Sequence, residues 1–468
     1  MTKNNNNLFA FFVSCTLLFS ADNSYSQTAK KATTLPQLSI SKNHHYFVTK
    51  GEKPFFWLGD TGWLLFSKLK REEAVHYLED RKQKGFNVIQ VMVLHSLDGS
   101  NVYGAASIAD KNVAKPVVTP GNDYKNEAEY DYWDHVDYII KVAQEKGIYM
   151  ALVPVWGSNV KDGKVTPEQA KIYSEFLAKR YKNYSNIIWM NGGDIYGNEN
   201  TDVWQAIGKT LKLNDPNHLQ TFHPHGRNMS SEWFHNESWL DFNMVQSGHR
   251  RYDQDDTKRA YGQDNWRYME TDFNLKPTKP TLDGEPSYEG IPHGLHDTLQ
   301  PKWNANDVRR YGYWSVFAGA AGYTYGHNAV MQMFRKGDKG AYGNKEIWSD
   351  AIHSPGAKQM IYIKKLILEF PYFERIPDQS LIANQGEKYD YLVATRGKNY
   401  ALIYTYNGKK IAVNMGKIAG DKVSATWFNP RNGQKTKIGI IANKGIQEFQ
   451  PSGIKEDGND WVLILKSN

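Results

Sequence analysis

Residues 132–156 read YWDHVDYIIKVAQEKGIYMALVPVW, and the rhythm of the chain changes in the middle. From Tyr132 to Lys146 apolar side chains return every three or four residues, the spacing of one helix face. Gly147 supplies the left-handed stop. Ile148 to Trp156 then runs with almost no polar side chain, which suits a strand covered on both sides, as in a parallel sheet.

The same unit recurs on either side. Apolar or β-branched runs stand at 54–60, 86–94 and 186–191, and weaker ones follow at 219–225, 241–247, 280–285 and 322–327, which makes eight with 148–156. Helical patterns lie between them at Arg71–Lys84, Thr166–Tyr184, 201–213, 229–239, 262–275 and Asn304–Ala318. Eightfold strand–helix alternation is an α/β chain of the (β/α)8 TIM barrel class. An open doubly wound sheet is the rival, but polar and aromatic residues follow every strand here instead of gathering at one switch point.

In a barrel the chemistry sits at the carboxyl ends of the strands. Those ends carry Asp60 and Trp63, His95, Trp156, Asn191 with Asp194, His223 and His225, His249, Glu285 with Tyr288 and Glu289, and Tyr325 with His327. Apart from the two catalytic candidates Asp194 and Glu285, this is a ring of sugar-hydroxyl partners and flat faces. Two motifs stand out, Asn-Gly-Gly-Asp at 191–194 and Asp-Gly-Glu-Pro at 283–286. Retaining glycosidic cleavage needs two carboxyls ~5–5.5 Å apart. We expect Asp194 as general acid/base, kept protonated by burial and a neighbouring carboxylate, and Glu285 as nucleophile. The fourth and seventh strands are expected to face each other across the barrel, and Gly192 and Gly193 to turn the loop sharply. Glu289 competes with Glu285. Metal-assisted hydrolysis is the other class the ring could serve: His223 and His225, two apart on a strand, would point the same way, with Asp60, His95 or His249 as a third ligand. No His-x-x-x-His or Cys pair supports it, so no metal and no cofactor is expected.

From about residue 374 the texture changes to short alternating strands, Tyr389–Thr395, Tyr400–Thr405, Lys410–Asn414, Val423–Phe428 and Trp461–Leu465, with Asn407-Gly408 and Asn432-Gly433 as hairpin signals. We expect a small C-terminal β-sandwich over 374–468, joined through 370–377 to a catalytic domain over 37–372. At the other end, Lys3 precedes an apolar block from Leu8 to Phe19 that is too short to span a bilayer, and small polar residues follow. Residues 1–27 are therefore expected to be a secretory signal, with no transmembrane segment and a periplasmic or extracellular destination. The only cysteine, Cys15, lies in that block, so the mature chain has no thiol chemistry; lipidation of Cys15 is the alternative. Export also removes nucleic acid as a partner for the net charge of +7.

Three segments, 55–63 (FFWLGDTGW), 187–194 (IIWMNGGD) and 283–289 (DGEPSYE), resemble the apiosidase-like glycoside hydrolases. That family joins a (β/α)8 catalytic domain to a C-terminal sandwich labelled as collagen-binding. The resemblance implies Asp194 and Glu285 as the catalytic pair. It also implies removal of terminal apiose from the plant pectin rhamnogalacturonan II, so a plant cell-wall polysaccharide or oligosaccharide as partner. An arabinofuranosidase or endo-glucanase is the second expectation, and a non-catalytic carbohydrate- or collagen-binding surface protein the third.

Overall fold

The computed structural model describes residues 35–468, and the expected signal at 1–27 with Cys15 lies outside them. Eight strands make a parallel barrel: β1 (Trp57–Thr61), β2 (Val88–Leu94), β3 (Tyr149–Val155), β4 (Ile187–Ile195), β5 (Gln220–Pro224), β6 (Asn243–Gln246), β7 (Thr281–Asp283) and β8 (Gly322–Tyr325). The ladder runs β5-β4-β3-β2-β1-β8-β7-β6. β5 and β6 share no regular ladder; Asp241 N–H to Gln220 O (2.8 Å) and Thr221 Oγ1 to Phe242 O (2.7 Å) close that gap.

The helices that follow the barrel strands are α1 (Arg71–Gln83), α2 (Tyr132–Glu145), α3 (Pro167–Tyr181), α4 (Thr201–Asn214), α5 (Ser231–Phe234), α6 (Asn265–Phe273), α7 (Ala305–Phe317) and α8 (Pro355–Leu368), and further single turns of helix lie in the loops. Their starts follow local chemistry. Asp131 accepts from the Trp133 and Asp134 amides at α2, and Thr166 with Gln169 forms a capping box ahead of Pro167 at α3. The barrel and the order of its elements follow the sequence expectation; the differences are local. α5 is a single turn, not the expected 229–239. β4 runs on through Gly192–Ile195, four residues past the expected end at Asn191. α8 was not anticipated, because no following strand signals it.

The C-terminal part has a six-stranded antiparallel sheet, β9 (Ile376–Pro377), β10 (Val393–Arg396), β11 (Tyr400–Thr405), β13 (Lys422–Phe428), β14 (Lys435–Ala442) and β16 (Trp461–Ser467), faced by β12 (Ile411–Asn414) and β15 (Ile446–Phe449). β14 and β15 were missed from sequence because they are largely exposed and carry little apolar alternation. In β11 and β16 the period of two divides the work. Tyr400, Leu402, Tyr404, Val462 and Ile464 join the barrel's core, whereas Ala401, Ile403, Leu463 and Leu465 fill the core between the two C-terminal sheets.

Asp272 and Asp283 are buried carboxyls without a cation partner. Burial pushes Asp272 up to about 7 and Asp283 up to about 6, against hydrogen bonds from Ser231 and Thr281 to the first and from Asn265, Ser315 and Ser247 to the second. Raised folded values favour the neutral acid, so each group costs stability as pH rises from about 4 to 7. Buried His135 and His327, lowered to about 4 and 3, act in the opposite sense between about pH 4 and 6.5. The comparison with a variant isolates the acid. Asp272→Asn is expected to gain on the order of 2 kcal/mol relative to the parent between pH 4.5 and 7.5 in denaturant titrations. A parallel pH dependence of the two proteins would refute the assignment.

Candidate active site

Asn191 begins the construction. Its Nδ2 donates to Trp204 O (2.9 Å) and its Oδ1 accepts from Gly192 N–H (3.0 Å), so this buried side chain shapes the strand end and does not reach a ligand. Gly192 and Gly193 follow at φ +86° and +111°. A Cβ on Gly193 would lie 2.5 Å from the Trp156 ring, and one on Gly192 would lie 2.6 Å from His223 O. Only glycine allows this turn. Asp194 comes out of it at φ +49°, a strained value for a non-glycine residue, and its side chain is exposed, not buried as expected.

Glu285 is the opposite case. It is buried just past β7, and two imidazoles converge on it: His249 Nε2 donates to Oε1 at 3.0 Å, and His223 Nε2 lies 2.9 Å from Oε2, off the line of a well-formed hydrogen bond. Burial pushes the carboxyl up, but His223 and His249 outweigh it and hold it at about 2. The closure of β5 onto β6 explains the convergence. β4 and β7 are not diametrically opposed, as had been expected; β5 and β6 stand between them, and their ends supply His223 and the loop carrying His249.

A buried polar thread fixes the height of Glu285. Asp283 accepts from Ser247, Asn265 and Ser315, and Gln90 Nε2 donates to Gly284 O at 2.9 Å while its Oε1 meets Thr324 Oγ1 at 3.2 Å. Gln90 was not anticipated, since an inward-facing glutamine in an apolar strand carries no signal beyond its polarity.

A cavity of ≈ 340 Å³ opens above Glu285 and takes in both Asp194 and Glu285. Trp63, His95, Trp156, His249 and Tyr288, all named from the sequence, line it. Trp63 and Trp156 are 5.1 Å apart at 56°, and both rings lie against His223. Tyr288 meets His249 edge-on at 4.8 Å.

Other expected contacts are not there. Asp60 is fully buried and accepts from Arg81 Nε and Tyr77 Oη, each at 2.6 Å, so it ties β1 to α1. Glu289 accepts from Tyr325 Oη (2.6 Å) and the Gly356 amide at the start of α8 (3.1 Å), which removes Glu289 and Tyr325 from the cavity and Glu289 from competition for nucleophile. His327 caps a short helix through Nδ1 on the Ala329 amide (3.1 Å). His225 does not pair with His223: it turns away to stack on Tyr196 at 4.3 Å. Among the described residues no group of three or more His, Cys, Asp or Glu side chains is arranged to hold a metal ion.

A strap that no sequence pattern signals closes one side of the cavity. Met331, Gln332, Lys339, Ala341 and Tyr342 line it from the segment after β8. Lys68 pairs with Asp338 at 2.5 Å, and Arg335 with Glu73, which pins the strap to α1 and the loop before it. Tyr342 sits at φ +50°, and its hydroxyl is pushed up to about 12 by burial and then by the negative charges of Glu285 and Asp194. Both carboxyls therefore act on one phenol from the same cavity.

Residues 41–374 match the family model described as "Apiosidase-like, catalytic domain", and residues 376–466 match "Putative collagen-binding domain of a collagenase". Curated proteins give no match. A solved glycoside hydrolase is 47% identical over 92% of this chain and 97% of that one, with a TM-score of 0.88. A glycoside hydrolase family 5 crystal structure from Bacteroides vulgatus ATCC 8482 is 44% identical over 92% and 95%, also at 0.88. At such identity and coverage the likeness extends beyond the barrel to the C-terminal domain: the chain belongs to the apiosidase-like family and is a glycoside hydrolase.

Proposed function

We propose that the enzyme is a retaining exo-β-apiosidase that removes terminal apiose from the side chains of rhamnogalacturonan II, with Glu285 as nucleophile and Asp194 as general acid/base. The observation that carries the roles is the contrast between the two carboxyls. Glu285 is buried yet held ionised by His223 and His249, which suits attack on the anomeric carbon. Asp194 is an exposed acid on a turn, open to a leaving-group oxygen and to water. In the first step a Glu285 oxygen bonds to the anomeric carbon, the bond to the leaving oxygen breaks, and Asp194 gives that oxygen its proton. In the second, Asp194 takes a proton from water, whose oxygen displaces Glu285.

Trp63, Trp156 and Tyr288 offer flat faces to one sugar ring, and His95 and His249 offer hydroxyl partners. A cavity near the small end of the ligand-site range, closed by the strap, suits a single terminal pentose. The reading includes export, since the polymer lies outside the cytoplasm, and gives the C-terminal domain the part of a brace on the barrel.

The test is release of free monosaccharide from rhamnogalacturonan II and a panel of plant glycans, beside Asp194→Asn. Apiose from the parent alone supports the reading. Arabinose release would make the enzyme an arabinofuranosidase, and oligosaccharide products an endo-acting one.

The pH profile tests Glu285 separately. With Glu285 held at about 2, the acid limb of the parent is expected near that pH. Removing one imidazole in His249→Ala is expected to move the acid limb of kcat/KM upward by about one pH unit, because the carboxylate loses a hydrogen bond that favours its charged form. A limb that stays in place would exclude Glu285 as the group titrating there.

A further inference from the structure

Asp194 belongs to two cavities. The second, ≈ 240 Å³, shares Trp156 and Asp194 with the first and is bounded further out by Tyr196, His225 and Lys161. A third, ≈ 580 Å³, shares Tyr196 with the second and has a polar lining that includes Asn228, Glu232 and Lys258. The cavities thus form a row, with Asp194 between the first two and Tyr196 between the second and third.

An exposed tyrosine alone means little, since single exposed apolar groups are common. Tyr196 is held in place. Its ring stacks on His225 at 4.3 Å and 17°, and Trp233 meets it edge-on at 6.3 Å. The His225 amide donates to Ile195 O at 2.9 Å, which fixes the lower ring of the pair. Asn159 Nδ2 donates to His95 O at 2.8 Å and ties the turn ahead of Lys161 to the first cavity. The outcome is a rigid aromatic surface, with Tyr196 itself 37% exposed, that orders little more on binding.

We propose that the leaving group is a saccharide chain that crosses Tyr196, its first ring between Trp156 and the Tyr196–His225 pair and its next over the polar shelf. This rests on Asp194 as the acid, because the group whose oxygen Asp194 protonates departs from the side Asp194 shares with the second cavity. The second cavity carries Lys161 and Glu199, 4.0 Å apart, so it offers both a donor and an acceptor to sugar hydroxyls.

The experiment compares kcat/KM on a rhamnogalacturonan II oligosaccharide with kcat/KM on a nitrophenyl β-apioside, which has no saccharide leaving group, for the parent, Tyr196→Ala and Tyr196→Trp. For Tyr196→Ala the loss on the oligosaccharide is expected to exceed that on the aryl glycoside by about tenfold, mainly through KM, with most of it regained in Tyr196→Trp. Equal losses on the two substrates, or none on the oligosaccharide, overturn the proposal. A parent that cleaves the aryl glycoside and not the oligosaccharide overturns it together with the rhamnogalacturonan II substrate, while leaving the sugar specificity and the catalytic pair intact. A parent that cleaves neither retires the apiosidase reading and this leaving group with it.

Discussion

Glu285→Gln is expected to lower kcat/KM by roughly a thousandfold or more on every substrate, because the amide keeps the shape of the site and removes the attacking charge. Asp194→Asn is expected to lose as much on natural glycosides, where the departing alkoxide needs its proton. The two differ on an aryl glycoside with an acidic phenol as leaving group. That group departs without protonation, so the Asp194 variant recovers its first step and accumulates the glycosyl-enzyme, seen as a burst of phenol, whereas the Glu285 variant stays silent. If Glu285→Gln bursts, or if both variants run at parental rates, the roles are wrong. His223 and His249 sharpen the distinction, since they sit on Glu285 and leave Asp194's carboxyl untouched.

The largest expected loss of stability lies far from the cavity, at Arg309 on α7. Its Nε and Nη2 each donate to Asp460 at 2.8 Å, its Nη1 donates to Gln359 Oε1 at 2.6 Å, and both charges are buried. Tyr404 Oη adds a hydrogen bond to Asp460 at 3.2 Å and stacks on Tyr313 at 4.7 Å. Arg309→Ala leaves Asp460 buried with a phenol as its main partner, which is expected to cost about 3–5 kcal/mol in denaturant titrations. The double change Arg309→Leu with Asp460→Leu is expected to recover much of this, since no charge is then stranded. A single-variant loss below about 1 kcal/mol would mean that water reaches the seam and the brace is loose.

The site was partly legible because turn chemistry is local. Two glycines ahead of Asp194 predict a sharp turn whatever lies around them, and the turn is there. The aromatic residues at strand ends were also legible, since a strand that stops at the top of a barrel leaves its next residues at the rim. What failed was the sorting of acids. Asp60 and Glu289 stand at strand ends just as Glu285 does, and nothing beside them in sequence reveals that Arg81, 21 residues on, and the α8 amide at Gly356 consume their charge. Tyr342 had no signal at all, because a strap is specified by its anchors on α1 and not by a period of its own.

The sequence by itself determined the eight strands, the glycine-turned carboxyl at 194 and the second carboxyl at 285. Each is set by hydrophobic period or backbone freedom within about ten residues. The tertiary structure alone decided which charges are buried and what they do there. Residues 307–317 of α7 are all buried, including Arg309 and Arg310, although an adjacent arginine pair on a helix reads as a solvated face. The C-terminal sheet covers that face, with Arg309 on Asp460 and Arg310 among Tyr311, Trp314, Tyr389 and Tyr406. Likewise His223 and His249 become the partners of Glu285 only because the barrel closes β5 onto β6, between the strands that carry the two carboxyls. Long-range packing fixes dielectric and partner, and neither quantity has a local period to read.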